Sequence, residues 1–311
     1  MPSIAFVVFD QFQSMSLAAQ SVFEFANYVQ NENYYKVITI SPSGGLIQSS
    51  SKISIMTDAF DETIFDTIIF AGNYEGSTGI PDSVIEYAKK SINSSRRIAA
   101  ICTGSYVLAT AHLLDHRKAT THWHYASDLQ TRFPLITVDI DRIFMIDGNI
   151  WTSAGMTAGI DLALEMVEQD LGGDIARKVA QKLVMYHRRA GGQSQHSELL
   201  DLNPKSDRIQ TALTYAKKNL ASNLSVEHLA EIVNLSSRQF SRIFTAETGQ
   251  TPAKAIESLR IESARLLLEQ GRLSLEQIAN ETGFKDTRHM REVFLRTLAQ
   301  PPQVIRRNAR N

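Results

Sequence analysis

The stretch that decides the fold of the first part of the chain is Arg97-Ile98-Ala99-Ala100-Ile101-Cys102-Thr103-Gly104-Ser105. Its short apolar run, residues 97–102, is typical of a strand buried in a parallel sheet. Small and polar residues follow at once, and residues 106–111 favour a helix. The chain therefore changes from strand to helix at Cys102, as it does in a layered α/β fold.

Short apolar runs alternate with helical patterns on both sides of this stretch. The predicted strands are 3–9, 36–41, 67–71, 142–146 and 150–153, and the predicted helices are 16–29, 81–95, 157–171 and 174–188. This alternation predicts an α/β fold class, with a doubly wound, mainly parallel sheet of the flavodoxin-like type. From residue 207 onward the strand pattern stops, which predicts a second, all-α domain.

The composition is that of an ordinary globular protein. The chain has 311 residues, of which 43% are hydrophobic and 21% are charged, a length that suits about two domains. Its single cysteine, Cys102, excludes an intramolecular disulfide and a multi-thiolate metal cluster and fits a reducing compartment. Residues 1–9 lack the basic start of a signal peptide, and no apolar stretch approaches the ~20 residues of a membrane span. We therefore expect a cytoplasmic protein with no membrane partner, no metal and no cofactor.

The net charge of −1 hides a segregation of charge along the chain. Residues 1–204 carry 15 Lys and Arg against 22 Asp and Glu, whereas residues 205–311 carry 17 against 11. A basic module attached to an acidic one is typical of a nucleic-acid-binding domain, with chance asymmetry as the alternative. The predicted domains are an acidic α/β domain at 1–188, a linker at 189–206 and a DNA-binding domain at 207–311.

The basic part contains an internal repeat. Leu224-Ser225-Val226-Glu227-His228-Leu229-Ala230 is followed about fifty residues later by Leu273-Ser274-Leu275-Glu276-Gln277-Ile278-Ala279. In each copy a serine is the expected N-cap of a short helix that supports a second one. The predicted helix-turn-helix units are 226–233 with 236–247 and 275–281 with 286–297, and a long helix at 253–270 joins them.

The second helix of each unit is expected to bury an apolar face and to present a polar one. The polar faces carry side chains that suit the base edges and phosphates of a major groove. They are Ser237, Arg238, Gln239 and Arg242 in the first unit and Thr287, Arg288, His289 and Arg291 in the second. These faces predict double-stranded DNA as a partner, and the alternative is an ordinary solvated helix surface.

Several positions of the basic part match a known family at fixed spacing. They are Arg265-Leu266-Leu267-Leu268, Leu275-Glu276-Gln277-Ile278-Ala279, Gly283-Phe284, Phe294 and Ile305-Arg306. With these positions, the basic part resembles the AraC/XylS family of transcription regulators. The resemblance implies two recognition helices that enter successive major grooves on one face of DNA. It also implies a homodimer.

The turn at Cys102 resembles a nucleophile elbow, in which a nucleophile ends a strand and a helix starts behind it. A thiol near a helix N-terminus is expected to have a lowered pKa. The Thr103 N–H and Asn73 are candidate oxyanion donors, and His122 or His124 is the candidate base. Ligands of open α/β sheets bind at the carboxyl ends of strands. The candidate ligand-binding residues are therefore Gly72, Asn73, Cys102, Thr103, His122 and Trp123.

The acidic part resembles the PfpI-like branch of the class I glutamine amidotransferase-like superfamily. The match extends through Thr152-Ser153-Ala154-Gly155, Ala158-Gly159-Ile160-Asp161-Leu162 and Gly191-Gly192-Gln193-Ser194-Gln195. With the basic part, the whole chain resembles a GlxA-type regulator, which implies that the α/β domain serves as a sensor. Enzymes of the superfamily generally have an acidic residue near the start of the first helix, where this chain has Ser16.

We therefore expect a transcription regulator, not an enzyme, whose α/β domain senses a small nitrogen-containing metabolite. Trp123 and Trp151 are candidates for an aromatic wall around a quaternary amine or an arginine-like group, with core packing as the alternative. Two other functions stay open: a cysteine-dependent hydrolase or amidase that also binds DNA, and a ligand-independent DNA-binding dimer. For Cys102, catalysis, a ligand or redox role and an inert buried thiol all stay open.

Overall fold

The computed structural model describes residues 1–74, 76, 78–185, 189, 191, 195, 206–298 and 300–308. The chain divides into two compact units, Met1–Gln195 and His196–Asn311. Most of the predicted linker, 189–206, lies outside the described residues. The α/β class predicted for the first part and the all-α class predicted for the second are both confirmed.

An eight-stranded sheet forms the centre of the first unit. Its strands are β1 Ser3–Val7, β2 Lys36–Ser41, β3 Ser43–Gln48, β4 Ser54–Ala59, β5 Thr67–Phe70, β6 Arg97–Ile101, β9 Phe144–Asp147 and β10 Ile150–Ser153. They are ordered β3-β4-β2-β1-β5-β6-β10-β9. All neighbours are parallel except the antiparallel β3–β4 and β9–β10 pairs. Two short strands, β7 Lys118–Ala119 and β8 Thr137–Val138, form a separate parallel pair.

Helices cover both faces of this sheet. They are α1 Gln20–Gln30, α2 Asp82–Ser91, α3 Ser105–Thr110, α4 Trp123–Arg132, α5 Met156–Leu171 and α6 Gly173–Lys182. Successive side chains of a strand point to opposite faces. In β1, Ile4 and Phe6 therefore join the core formed with α1, α5 and α6, whereas Ala5 and Val7 join the core formed with α2 and α3. Burial on both faces explains why these strands read as continuous apolar runs.

The sequence patterns missed or misjudged several peripheral elements. β3 was missed because it contains Gly44 and Gly45, both in the left-handed region and typical of a loop. α4 was missed because it buries only Ala126 and Leu129, a weak helical pattern. A 3-10 turn, Ser14–Ala19, precedes α1 where a continuous helix was predicted. The prediction of a helix over 174–188 was wrong at its end, because α6 stops at Lys182; residues 186–188 lie outside the described ones.

The second unit has seven helices among its described residues. They are α7 Asp207–Lys218, α8 Val226–Ile232, α9 Ser237–Thr248, α10 Pro252–Gln270, α11 Leu275–Glu281, α12 Thr287–Leu298 and α13 Pro302–Asn308. They enclose two hydrophobic cores. Phe240 and Phe244 of α9 belong to one core, and Met290, Val293 and Phe294 of α12 belong to the other. The long α10 contributes side chains to both cores and so connects them.

Local sequence sets the boundaries of these helices. Ser236 caps α9 and Ser274 caps α11, and in both cases the glutamine three residues later completes a capping box. α10 begins after its N-cap Thr251 and ends before Gly271, whose φ of 66° is the left-handed C-cap conformation. The two predicted helix-turn-helix units, α8 with α9 and α11 with α12, are therefore present.

Candidate functional site

Cys102 lies where β6 turns into α3. Its φ is 57°, in the left-handed region that non-glycine residues rarely adopt. Such a conformation costs about 1–3 kcal/mol and persists where the surrounding structure fixes it. A Cβ atom at Gly104 would clash with the Phe70 carbonyl oxygen, and one at Gly72 would clash with the Thr103 hydroxyl. The two glycines therefore allow the elbow to pack against the end of β5.

Hydrogen bonds fix the same turn. The Thr103 hydroxyl donates to the Asn73 carbonyl oxygen at 2.7 Å. The Thr121 hydroxyl donates to the Cys102 carbonyl oxygen at 3.0 Å, and the Ser105 hydroxyl donates to Thr121 Oγ1 at 2.8 Å. The segments after β5, after β6 and before α4 are thus held together at the carboxyl edge of the sheet.

The Cys102 thiol is not activated. The residue is only 3% exposed, and burial raises the pKa of the thiol to about 11, although hydrogen bonds from Thr103 oppose this shift. The expected lowering of the Cys102 pKa is therefore wrong, because desolvation of the thiol outweighs the hydrogen bonds from Thr103. At neutral pH the buried thiol is therefore in its protonated form.

Four buried polar atoms at this edge have no hydrogen-bond partner among the described residues. They are Gln13 Oε1, Ser16 Oγ, Asn73 Oδ1 and Ser153 Oγ. The first two follow β1, the third follows β5 and the fourth ends β10. The Gln13 N–H donates to the Gly72 carbonyl oxygen at 2.8 Å, and Ser153 pairs in register with Ile101, the neighbour of Cys102. Because buried polar groups without partners are costly, these four atoms make the carboxyl edge of the sheet a candidate place for a polar ligand.

His122 lies at the start of α4, beside the end of β10. As the N-cap residue of α4, it accepts a hydrogen bond at Nδ1 from the His124 backbone N–H, 3.3 Å away. The Cβ position of Gly155, which follows β10, lies 3.6 Å from the His122 ring. His122 therefore has a capping role in addition to its place near the carboxyl edge.

The two tryptophans lie in different environments. Trp123 follows His122 and is 45% exposed, so its ring reaches the surface near the carboxyl edge. Trp151 is 2% exposed, and the Arg97 guanidinium lies 5.2 Å from the centre of its ring. Trp151 is thus a core residue, and Trp123 is the exposed tryptophan among the candidate ligand-binding residues.

Gln195 also contacts this edge and was not among the predicted site residues. Its side chain accepts the backbone N–H of Trp123 at 2.8 Å and donates to oxygens in the segment before α4. Its only signal in the sequence is the motif at 191–195, which also reads as a linker. Gly192, Gln193 and Ser194 of this motif lie outside the described residues.

The outer face of α9 presents exposed arginines. Arg238 and Arg242 are exposed, whereas Ser237 is half-buried. Gln239 is exposed as well, but its Oε1 accepts hydrogen bonds from the backbone N–H and the hydroxyl of Ser236, at 3.2 and 2.8 Å. Gln239 therefore closes the N-terminal cap of α9 in addition to facing outward.

The outer face of α12 has a similar composition. Its exposed members are Thr287, Arg288 and Arg291. Arg288 Nε lies 3.0 Å from Glu292 Oε1 one turn further on, and the arginine side chain is 86% exposed. The half-buried His289 accepts the Lys285 backbone N–H at Nδ1, 3.3 Å away. The predicted DNA-facing surface of each second helix thus exposes two arginines, and α12 exposes a third, Arg296, nearer its C-terminus.

Among the described residues, no cluster of three or more His, Cys, Asp and Glu side chains could hold a metal ion. None of the described helices has both the length and the apolar character needed to cross a membrane.

Each of the two units matches a known protein family or domain. Residues 2–169 match the DJ-1/PfpI family, and residues 229–308 match a helix-turn-helix domain. Because the first match spans more than half of the chain, the chain belongs to the DJ-1/PfpI family.

Some relatives align with nearly the whole chain and others with a part of it. The HTH-type transcriptional regulator GlxA of Rhizobium meliloti (strain 1021) is 28% identical over 313 residues, which cover 98% of this chain and 96% of GlxA. Isonitrile hydratase of Pseudomonas putida is 32% identical over 183 residues, 58% of this chain and 77% of the hydratase. A crystal structure of an AraC family transcriptional regulator from Pseudomonas putida shares the fold over 59% of this chain and 100% of its own, with 17% identity and a TM-score of 0.54. The resemblance to GlxA-type regulators is therefore confirmed.

Proposed function

We propose that this chain is a transcription regulator that binds specific sites on double-stranded DNA through its second unit. The observation that carries the proposal is the pair of helix-turn-helix units whose second helices, α9 and α12, expose arginines. Residues 205–311 carry 17 basic and 11 acidic side chains, and this positive balance favours binding to a polyanion. GlxA, named as an HTH-type transcriptional regulator, aligns with nearly the whole chain and supports the same function.

The proposed DNA-contacting residues are those of the two outer faces. They are Ser237, Arg238, Gln239, Arg242, Thr287, Arg288, His289 and Arg291. The arginines offer bidentate donors that suit guanine edges and phosphates. Arg288 has to exchange its contact with Glu292 for one with DNA, so its net contribution is expected to be smaller than that of Arg238.

The test is binding of the purified full-length chain to DNA from upstream of its own gene, at stated salt and with excess nonspecific competitor. Arg238→Ala is expected to weaken specific binding by about 1–3 kcal/mol if the side chain contacts a base. Arg177→Ala is a matched control, because this arginine of α6 in the first unit has a side chain that is 66% exposed. Equal affinities in wild type, Arg238→Ala and Arg288→Ala would contradict the proposed faces.

For the first unit we propose a small nitrogen-containing metabolite as ligand, bound at the carboxyl edge of the sheet. The proposed contacts are Gly72, Asn73, Cys102, Thr103, His122 and Trp123, together with Gln13, Ser16 and Ser153. The oxygens Gln13 Oε1 and Asn73 Oδ1 can only accept hydrogen bonds. A guanidinium or primary ammonium group would supply the N–H donors, whereas a quaternary ammonium has none and would rely on the Trp123 ring.

Two probes distinguish these ligand chemistries. L-arginine is expected to raise the melting temperature of the full chain with increasing concentration, and Asn73→Leu is expected to abolish this rise. If glycine betaine raises the melting temperature and Asn73→Leu leaves this rise intact, the ligand is instead a quaternary ammonium compound that contacts the Trp123 ring. No stabilisation by either probe would contradict the proposed ligand class.

The geometry at Cys102 supports sensing and not catalysis. Ser16 stands where related enzymes generally have a carboxylate, and the pKa of the Cys102 thiol is raised to about 11 by burial. One relative, isonitrile hydratase, is named as an enzyme. Turnover of amides or isonitriles is therefore the activity to test for. Turnover by the purified chain that disappears in Cys102→Ser would contradict a purely sensory role.

The proposed regulator acts in the cytoplasm as a homodimer that places its reading helices on paired half-sites. A ligand that binds one arrangement of the dimer more tightly than another would then shift the affinity for DNA. Sedimentation of the full-length chain, with and without DNA, measures this assembly; a monomer under both conditions would contradict it.

A further inference from the structure

Gln195, the last residue of the first unit, contacts the candidate ligand site through its side chain. Its Oε1 accepts the Trp123 backbone N–H at 2.8 Å. Its Nε2 donates toward three oxygens, Thr120 Oγ1, the Thr121 carbonyl and the Arg142 carbonyl, at 3.1, 2.8 and 3.0 Å. One carboxamide therefore bridges the start of α4, the segment before α4 and the segment before β9.

Two nearby residues attach the same stretch of chain to the first unit. Arg189 pairs with the fully buried carboxylate of Asp161, with Nη2 and Oδ2 2.7 Å apart, and its backbone N–H donates to Oδ1 at 2.9 Å. Gly191 lies against Phe144, since a Cβ atom there would be 2.6 Å from the phenyl ring. We call Arg189, Gly191 and Gln195 the tether. The chain continues from it into the helix-turn-helix unit.

Two hydrogen bonds connect the tether to the elbow. Gln195 Nε2 donates to the Thr121 carbonyl oxygen, and the Thr121 hydroxyl donates to the Cys102 carbonyl oxygen. A ligand that displaces Cys102 or Trp123 therefore changes the geometry of bonds that Gln195 makes. Conversely, a change in the bonds that Gln195 makes changes the geometry at Cys102 and Trp123.

We propose that the tether transmits the state of the ligand site to the DNA-binding unit. A ligand beside Cys102 and Trp123 alters the stability of the Gln195 contacts, and this alters how firmly the chain entering the second unit is held. The inference rests on the proposed function and deepens it by assigning its regulation. Because linkage is reciprocal, release of Gln195 changes the Cys102 site by the same free energy.

Alkylation of Cys102 by iodoacetamide tests the connection without DNA or metabolite. Cys102 is the single cysteine of the full chain and is 3% exposed, so its reaction rate reports opening of the elbow. Gln195→Ala is expected to raise the rate by about tenfold or more, a change that corresponds to about 1.4 kcal/mol of opening free energy. Gln195→Glu keeps the acceptor for Trp123 but loses the Nε2 donors, and it is expected to behave in the same way.

Gln130→Ala is the matched control. Gln130 makes a comparable bridge, since its Nε2 donates to the Ile136 carbonyl oxygen at 2.8 Å and its Oε1 accepts the Val138 N–H at 3.0 Å. This bridge connects α4 to β8 and does not lead to Cys102. Alkylation in Gln130→Ala is expected within about twofold of wild type. Equal rates in wild type and both Gln195 variants would overturn the proposed connection.

Operator binding then separates a transmitting contact from a purely structural one. Carbamidomethylation of Cys102 serves as a covalent substitute for ligand and is expected to change the operator affinity of wild type by about fivefold or more. In Gln195→Ala, modified and unmodified protein are expected to bind within about twofold of each other. The same change in both proteins would overturn the coupling, even where the alkylation rate depends on Gln195. Absence of specific DNA binding by unmodified wild type would overturn the proposed function and the coupling with it. The alkylation rates are measured without DNA, so they test the contact between Gln195 and Cys102 separately from the proposed function.

Discussion

The two units build their candidate sites in opposite physical settings. In the second unit the arginines of α9 and α12 lie on exposed helix faces opposite an apolar stripe. In the first unit the candidate site combines segments as distant in sequence as Gln13 and Ser153, which lie along one edge of the sheet. A DNA-reading face can thus be specified by helical periodicity, whereas the ligand site requires the whole sheet to be assembled.

The units also differ in what stabilises them. The first unit has large cores on both faces of its sheet and a buried ion pair between Arg97 and Asp170. The second has two smaller cores, and each includes buried side chains of α9 or α12. Single substitutions are therefore expected to disable DNA reading more readily than they disable the first unit.

The largest effect is expected from Phe294→Ala. Phe294 is fully buried in the core of α11 and α12, and removing such a ring costs about 3–5 kcal/mol. Thermal unfolding should show loss of the second unit's transition together with loss of specific DNA binding. Leu295→Ala, at the adjacent position that is 43% exposed, is the control and should cost less than about 1 kcal/mol. Equal destabilisation by both would contradict the assignment of the small core.

The next effect is expected in the first unit, from Asp170→Asn. The Asp170 and Arg97 side chains are 3% and 5% exposed, with Oδ2 and Nη1 2.9 Å apart. Removing the carboxylate charge leaves a buried guanidinium and should cost about 3 kcal/mol. Urea unfolding measures this loss. Asp174→Asn, whose side chain is 86% exposed beside Arg177, is the control and should have little effect.

The same ion pair predicts a dependence on pH. Burial opposes ionisation of Asp170, but hydrogen bonds from Arg97 and Arg96 outweigh it and hold the pKa at about 2, below the ordinary value of 3.8. Because the pKa is lowered on folding, the stabilisation is present above about pH 4 and is lost as the pH falls toward 2. Urea midpoints of wild type should therefore fall over this range, and Asp170→Asn should lack that part of the decline. Parallel declines in both proteins would argue against this pair as the cause.

The smallest effect on folding is expected from Gln239→Glu, which separates the two roles of this residue. Glutamate also completes a capping box, so the free energy of unfolding should stay within about 0.5 kcal/mol. A negative charge on the DNA-facing surface should still weaken operator binding by about tenfold. Gln277→Glu, in the equivalent capping box of α11, is the matched control and should alter neither property. Unchanged operator affinity in Gln239→Glu would remove this residue from the proposed interface.

Contiguous sequence was sufficient for most of the fold. The change from strand to helix at Cys102 and the capped helices after Ser236 and Ser274 depend on neighbouring residues, so their patterns are readable. β3 and α4 were missed for the same physical reason, since glycines in one and sparse apolar residues in the other give weak local patterns. A sequence pattern predicts a helix or strand only where neighbouring residues determine that element.

The candidate ligand site was predictable only in part. Asn73 and Cys102 follow predicted strands, so their place at the carboxyl edge could be expected. The raised pKa of Cys102 could not, because it depends on burial by residues from distant segments. The Gln195 contacts join residues 53 to 75 positions apart, and no periodic pattern reports such pairs.

Selection of DNA sites from a random duplex pool by the full-length chain tests the central claim most directly. We predict enrichment of half-sites that each contain two short motifs, one for each helix-turn-helix unit, with centres about one helical turn apart, roughly 10 base pairs. Arg238→Ala should relax the preference within one motif and Arg288→Ala within the other. Recovery of unenriched DNA, or one motif that neither variant alters, would contradict the account of a double DNA-reading unit attached to a sensor.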